Sequence, residues 1–203
     1  MSSIVGHLLA GWTVQVTWQS AAQSGSARRD RRLWLLWLLV IAIAPDFDYL
    51  IPGLHPRHHQ GLRITHALLS CQLLPALTVL WLHWRGLRRS PLAQSGLQAS
   101  LAGFSHLALD LLVGVTALPL AWPLTNLLVK LPFGLLPSAG KLSIANRYLY
   151  NNLALELGVL LPWSYGLYFW RSPRSLTWRS GCLLAILLAI SARCMLWAYH
   201  LSR

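Results

Sequence analysis

A chain of 203 residues that is 55% hydrophobic and only 11% charged departs from water-soluble domains, in which about a quarter of residues carry charge. Its 17 basic and five acidic residues give a formal charge of +12, but the basic ones gather in short connections between apolar runs. Cations there fix membrane topology and meet anionic headgroups, so no nucleic acid is needed to explain them.

Cys71, Cys182 and Cys194 lie far apart inside apolar runs, which fits neither a disulfide framework nor a CxxC metal motif. The apolar N-terminus lacks a basic start and a clear cleavage site, so it is expected to stay in the mature chain.

The first apolar segment covers about Ile4 to Trp18 and is followed by a polar loop with four arginines, QSAAQSGSARRDRR. A second, Leu33 to about Ile51, is broken near its end by Pro45 and Pro52 around the string PDFDY. The third spans Ile64 to Trp84 and leads into the basic loop WRGLRRSPLAQSG; the fourth runs from about Leu97 to Trp122. From Pro123 to Asn152 the chain is amphipathic, with Pro132, Pro137 and Gly140 interrupting any long helix, which predicts an interfacial or re-entrant segment. Two last spans, about Leu153 to Trp170 and Ser180 to His200, flank RSPRSLTWR.

The predicted fold is all-α: a polytopic transmembrane helical bundle of about six spans, one membrane-embedded domain over residues 1–203, with C-terminal spans in 153–200. Ten Lys and Arg in the first, third and fifth loops, against six on the other side, turn those loops toward the cytoplasm. Both termini and the second and fourth loops then face away from it.

Asp46, Asp48, Asp110 and Glu156 lie in or beside apolar spans, where an ionised group costs about 2.5–3.5 kcal/mol and needs a partner. Histidines supply partners, and with aspartates they are natural ligands for zinc and related divalent metals. The topology, built without using them, brings His7, Asp46, Asp48, His58, His59, His66, His106, Asp110 and Glu156 to roughly one level near the non-cytoplasmic side. His106 and Asp110 share a helix face at i, i+4. If Pro45 and Pro52 hold PDFDY out of a helix, Asp46 and Asp48 at i, i+2 face one way.

Thr65 fits an N-cap before His66, and Gly103 and Gly114 fit helix packing. Glu156 is open to two readings, an ion pair with Arg193 or a further ligand. Arg57 and Arg63 have the chemistry to grip a phosphate bidentately, or simply meet lipid headgroups.

The strings GHLLAG, PDFDY, HHQGLRITHALL and GFSHLALDLL, in that order over residues 4–123, resemble the membrane-bound metal-dependent hydrolase family, the YdjM-like inner-membrane proteins. The HxxxD element at His106 and Asp110 is also similar to that of zinc-dependent phospholipase C. The resemblance implies a bacterial inner-membrane location and a metal set of His7, Asp46, Asp48, His59, His66, His106 and Asp110. The chain departs from the family's shorter His-Arg-Gly-x-Thr-His-Ser string, with two extra residues between His59 and His66, Gln60 after the histidine and Ala67 for the final serine.

The expected function is hydrolysis of a phosphoester or lipid-linked substrate at headgroup depth, with Zn²⁺ or a similar cation activating water. Asp46 or Asp48 completes the site or serves as general base. Two other classes fit the same residues: a proton- or metal-coupled transporter, and a non-catalytic membrane protein with a structural metal.

Overall fold

A computed structural model describes residues 2–17, 28–51, 62–138, 146–171 and 177–201. It is all-helical: α1 (Ile4–Thr17), α2 (Arg28–Ile43), α3 (Leu68–Trp84), α4 (Arg89–Val113), α5 (Arg147–Arg171) and α6 (Trp178–His200). Two 3-10 elements, Ala44–Leu50 and Ile64–His66, extend α2 and precede α3. The four arginines expected in the first loop instead occupy the first turns of α2.

Helix α4 is the centre of the bundle, packed against α1, α2 and α3, while α5 joins α1 to α6. Small residues make this possible, because Ala99 and Ala102 of α4 bring Leu38 and Ile41 of α2 into contact with it. On the α3 side Pro75, inside the helix, has no N–H for the carbonyl of Cys71 four residues earlier. Gly103 lies against that carbonyl so closely that a Cβ would stand 2.5 Å from it, and the side-chain amide of Gln72 donates to the carbonyl of Ser100 at 3.2 Å.

The fourth apolar segment does not continue as helix to Trp122. Gly114 takes a left-handed conformation (φ 62°) and its N–H turns back to the carbonyl of Leu111, which ends α4 at Val113. Residues 114–138 fold back over this end of the bundle without forming an α-helix. Leu118 and Val129 exchange two backbone hydrogen bonds of 2.8 Å, and Leu118 and Leu136 are buried in the core.

Large apolar side chains point outward along α3 and α6, including Leu69, Leu73, Leu77, Leu80, Ile186, Ile190 and Leu196. Among the described residues two helices, α4 and α6, are long and apolar enough to cross a membrane. Over the most apolar window 56% of α4 is buried but only 11% of α6, so α6 is a peripheral helix with an apolar outer face. Trp34 and Trp37 of α2 turn their indole N–H groups into the bundle, onto Gln98 at 2.7 Å and Thr78 at 2.9 Å.

Candidate metal centre

At the end of the bundle where α1 begins and α2 finishes, four ligand atoms converge: one each from Asp46, His66, His106 and Asp110, all within 4.8 Å of one another. They come from three places in the chain. Asp46 lies in the 3-10 helix after α2, His66 ends the 3-10 turn before α3, and His106 and Asp110 are a turn apart on α4. The three partners of Asp46 are fully buried, and Asp46 retains 14% side-chain exposure.

Hydrogen bonds at the far side of each imidazole fix how the rings are used. The Nδ1 of His106 donates to the carbonyl of Ala42 at 2.8 Å, in the last turn of α2, where helix carbonyls run out of helical partners. Thr65 Oγ1 donates to Asp48 Oδ2 at 3.0 Å and so accepts from His66 Nδ1 at 2.9 Å. With both Nδ1 atoms protonated, the two Nε2 atoms carry lone pairs and face each other at 3.1 Å. Two lone pairs at that distance require positive charge between them, a shared proton or a cation.

The surrounding atoms fit a metal. Ligands about 2.0–2.1 Å from a tetrahedral ion stand roughly 3.3 Å from each other. His66 Nε2 lies 3.3 Å from Asp110 Oδ2 and 3.5 Å from Asp46 Oδ1; His106 Nε2 lies 3.7 and 3.8 Å from the same two oxygens. Asp110 Oδ2 is buried with no hydrogen-bond partner, as expected of an atom reserved for coordination.

Asp48 departs from its expected role as a ligand or general base. Its carboxylate receives Nε and Nη2 of Arg63 at 2.9 and 2.7 Å, and Thr65 on the remaining side. On a 3-10 helix, with three residues per turn, positions i and i+2 point about 120° apart, so Asp46 turns to the histidines and Asp48 to the arginine. Arg63, open in the sequence to a phosphate or to lipid headgroups, is instead buried against Asp48, lies 3.4 Å from Asp46 and stacks over the Tyr49 ring.

Glu156 is not one of the four converging residues. It is buried at the start of α1, where it accepts from the Ser2 hydroxyl and the backbone N–H of Ser3. Arg193 is exposed, and no salt bridge among the described residues joins it to Glu156. His7 is fully buried beside the four, its ring stacked on His106 with centroids 3.9 Å apart. Thr65 does not cap α3, whose N-cap is Ala67. Arg57, His58 and His59 lie outside the described residues.

Sequence reasoning did not identify Thr65 as the link between His66 and Asp48, nor the carbonyl of Ala42 as the partner of His106. The adjacency of threonine and histidine was a visible signal for the first. Nothing in the sequence marks a backbone carbonyl for the second.

Comparison with protein families, with curated proteins and with solved structures returns no match for this chain.

Proposed function

We propose that this protein is a membrane-bound metal-dependent hydrolase acting on a phosphoester or lipid-linked substrate at headgroup depth. The observation that carries the reading is the convergence of two imidazole Nε2 atoms and two carboxylate oxygens at one end of the bundle, with the far side of each imidazole tied down. A divalent ion held there, with zinc the best match to His and Asp donors, supplies Lewis-acid polarisation of an ester oxygen and a lowered pKa for water.

In this reading His66, His106 and Asp110 are the holding residues. Asp46, the partly exposed member, completes the set on the side from which a substrate would arrive. Pro45 and Thr65, the chain neighbours of Asp46 and His66, line a mostly apolar cleft of about 280 Å³ with Ile64, Leu73 and Leu74, which suits the apolar part of an amphiphilic substrate.

The proposed setting is a bundle of about six spans in a bacterial inner membrane, with the centre toward the non-cytoplasmic side. Support comes from the apolar exterior of α3 and α6, the sequence's loop-charge bias, and the family resemblance of its four motifs. A relay across the membrane is less well supported. Toward the other end of α4 the buried polar side chains are Gln98 and Ser95, which carry no charge.

The test is metal analysis of purified wild type beside His106→Ala and Asp110→Ala, with phosphodiester and lipid hydrolysis measured on the same samples. Loss of metal together with turnover supports the enzyme. Bound metal in the wild type with no turnover on any phosphoester or lipid points to a structural ion instead, and metal retained in both variants refutes the ligand set.

A further inference from the structure

The four-residue set leaves one buried group unexplained. His7 is fully buried on α1, yet neither Nδ1 nor Nε2 has a hydrogen-bond partner. A buried polar group left in this state costs about 1–3 kcal/mol, and this one is aimed at the metal ligands. Its Nε2 stands 3.7 Å from Asp46 Oδ2 and 3.6 Å from Asp110 Oδ1, too far for hydrogen bonds but close to the spacing of two ligands on one ion.

The carboxylates divide their oxygens between two sides. Asp46 turns Oδ1 toward His66 and His106 and Oδ2 toward His7. Asp110 does the same, with Oδ2 toward the histidine pair and Oδ1 toward His7. Asp110 Oδ1 also accepts the backbone N–H of Ser2 at 2.8 Å, which leaves it a second lone pair. His7 and His106 are nearly parallel, 14° between planes with centroids 3.9 Å apart. Nε2 of each ring therefore faces the same pair of carboxylates, and the 3.9 Å between the stacked ring centroids is of the order of the roughly 3.5–4 Å between ions in two-metal sites.

We propose that the centre is dinuclear: a second divalent cation is held by His7 Nε2, and Asp46 and Asp110 bridge it to the ion held by His66 and His106. This rests on the metal-centre part of the proposed function and is independent of whether the protein turns over substrate. Paired ions at this distance would clamp the attacking and leaving oxygens of an in-line displacement, which suits a phosphate ester as the substrate.

The experiment uses the full chain purified in detergent, stripped with chelator and reloaded with Zn²⁺ for stoichiometry or Mn²⁺ for electron paramagnetic resonance. The expected result is two zinc ions per chain in wild type and one in His7→Ala, with an exchange-coupled manganese signal in wild type that becomes mononuclear in the variant. One zinc per chain and an uncoupled manganese signal in wild type overturn the second site while leaving the first intact. Two zinc ions retained by His7→Ala overturn the role given to His7, and no zinc retained by wild type overturns the metal centre altogether. Because the wild-type stoichiometry and spectrum decide the question without any variant, misfolding of His7→Ala would not protect the proposal.

Discussion

Thr65 Oγ1 lies 2.9 Å from Nδ1 of its neighbour His66 and donates its own hydrogen bond to Asp48. The hydroxyl thereby fixes the tautomer that leaves His66 Nε2 free. Partners of this kind, behind a metal-binding imidazole, are typically worth 10- to 100-fold in metal affinity. Thr65→Val keeps the shape and removes the acceptor, so zinc affinity measured by chelator competition is expected to fall by about that factor. Thr65→Ser retains the hydroxyl and should recover most of it; equal losses in the two variants would show that only packing matters at this position.

Asp48 and Arg63 form a buried pair joined by two hydrogen bonds. Removing one member leaves the other charge uncompensated in a poorly solvated place, at a cost of about 3–5 kcal/mol. Arg63→Ala is therefore expected to lower the thermal unfolding midpoint of the detergent-purified protein sharply. Replacing both residues together, as Arg63→Met with Asp48→Leu, should restore much of that stability while zinc affinity stays low, since Thr65 has then lost its acceptor. A single variant that unfolds like wild type would mean that water reaches the pair.

The sequence pattern placed His106 and Asp110 on one face of a helix because i, i+4 spacing allows little else, and the structure agrees. Apolar runs and arginines alone also bring His7, Asp46 and His66 to the end of the bundle where the structure gathers them beside that pair. The division of roles between Asp46, which faces the histidines, and Asp48, which faces Arg63, is not legible in the sequence. The reading assumed that the prolines held PDFDY out of a helix, whereas residues Ala44–Leu50 form a 3-10 helix that sends alternate positions to different partners. Arg63 looked available to a phosphate because its acceptor lies 15 positions earlier in the chain, and no local pattern announces a pairing at that separation. The end of α4 was misjudged for a similar reason. Gly114 reads as one more small packing residue until its left-handed backbone is seen.

Gly103 lies one turn before His106, where α4 passes the Cys71 carbonyl left free by Pro75. An added methyl would meet backbone rather than the end of a flexible side chain, so the helices must separate. Gly103→Ala is expected to weaken zinc binding at least tenfold through displacement of His106 from His66, although it touches no ligand. Gly96→Ala, two turns further away, meets only a terminal methyl of Val79 and should cost less. Equal zinc affinity in Gly103→Ala and wild type would show that α4 yields without moving the centre.

Nε2 of His66 and Nε2 of His106 stand 3.1 Å apart with both Nδ1 atoms committed elsewhere, so a proton shared by the pair occupies the place a cation would take. Metal binding to imidazole releases that proton, so apparent zinc affinity is expected to rise with pH across the imidazole range of about pH 5 to 8 and to level off above it. Zinc competition against a chelator, with proton release followed in the same titration, measures this. An affinity that stays constant across that range, with no proton released, would mean that no proton sits between the two nitrogens.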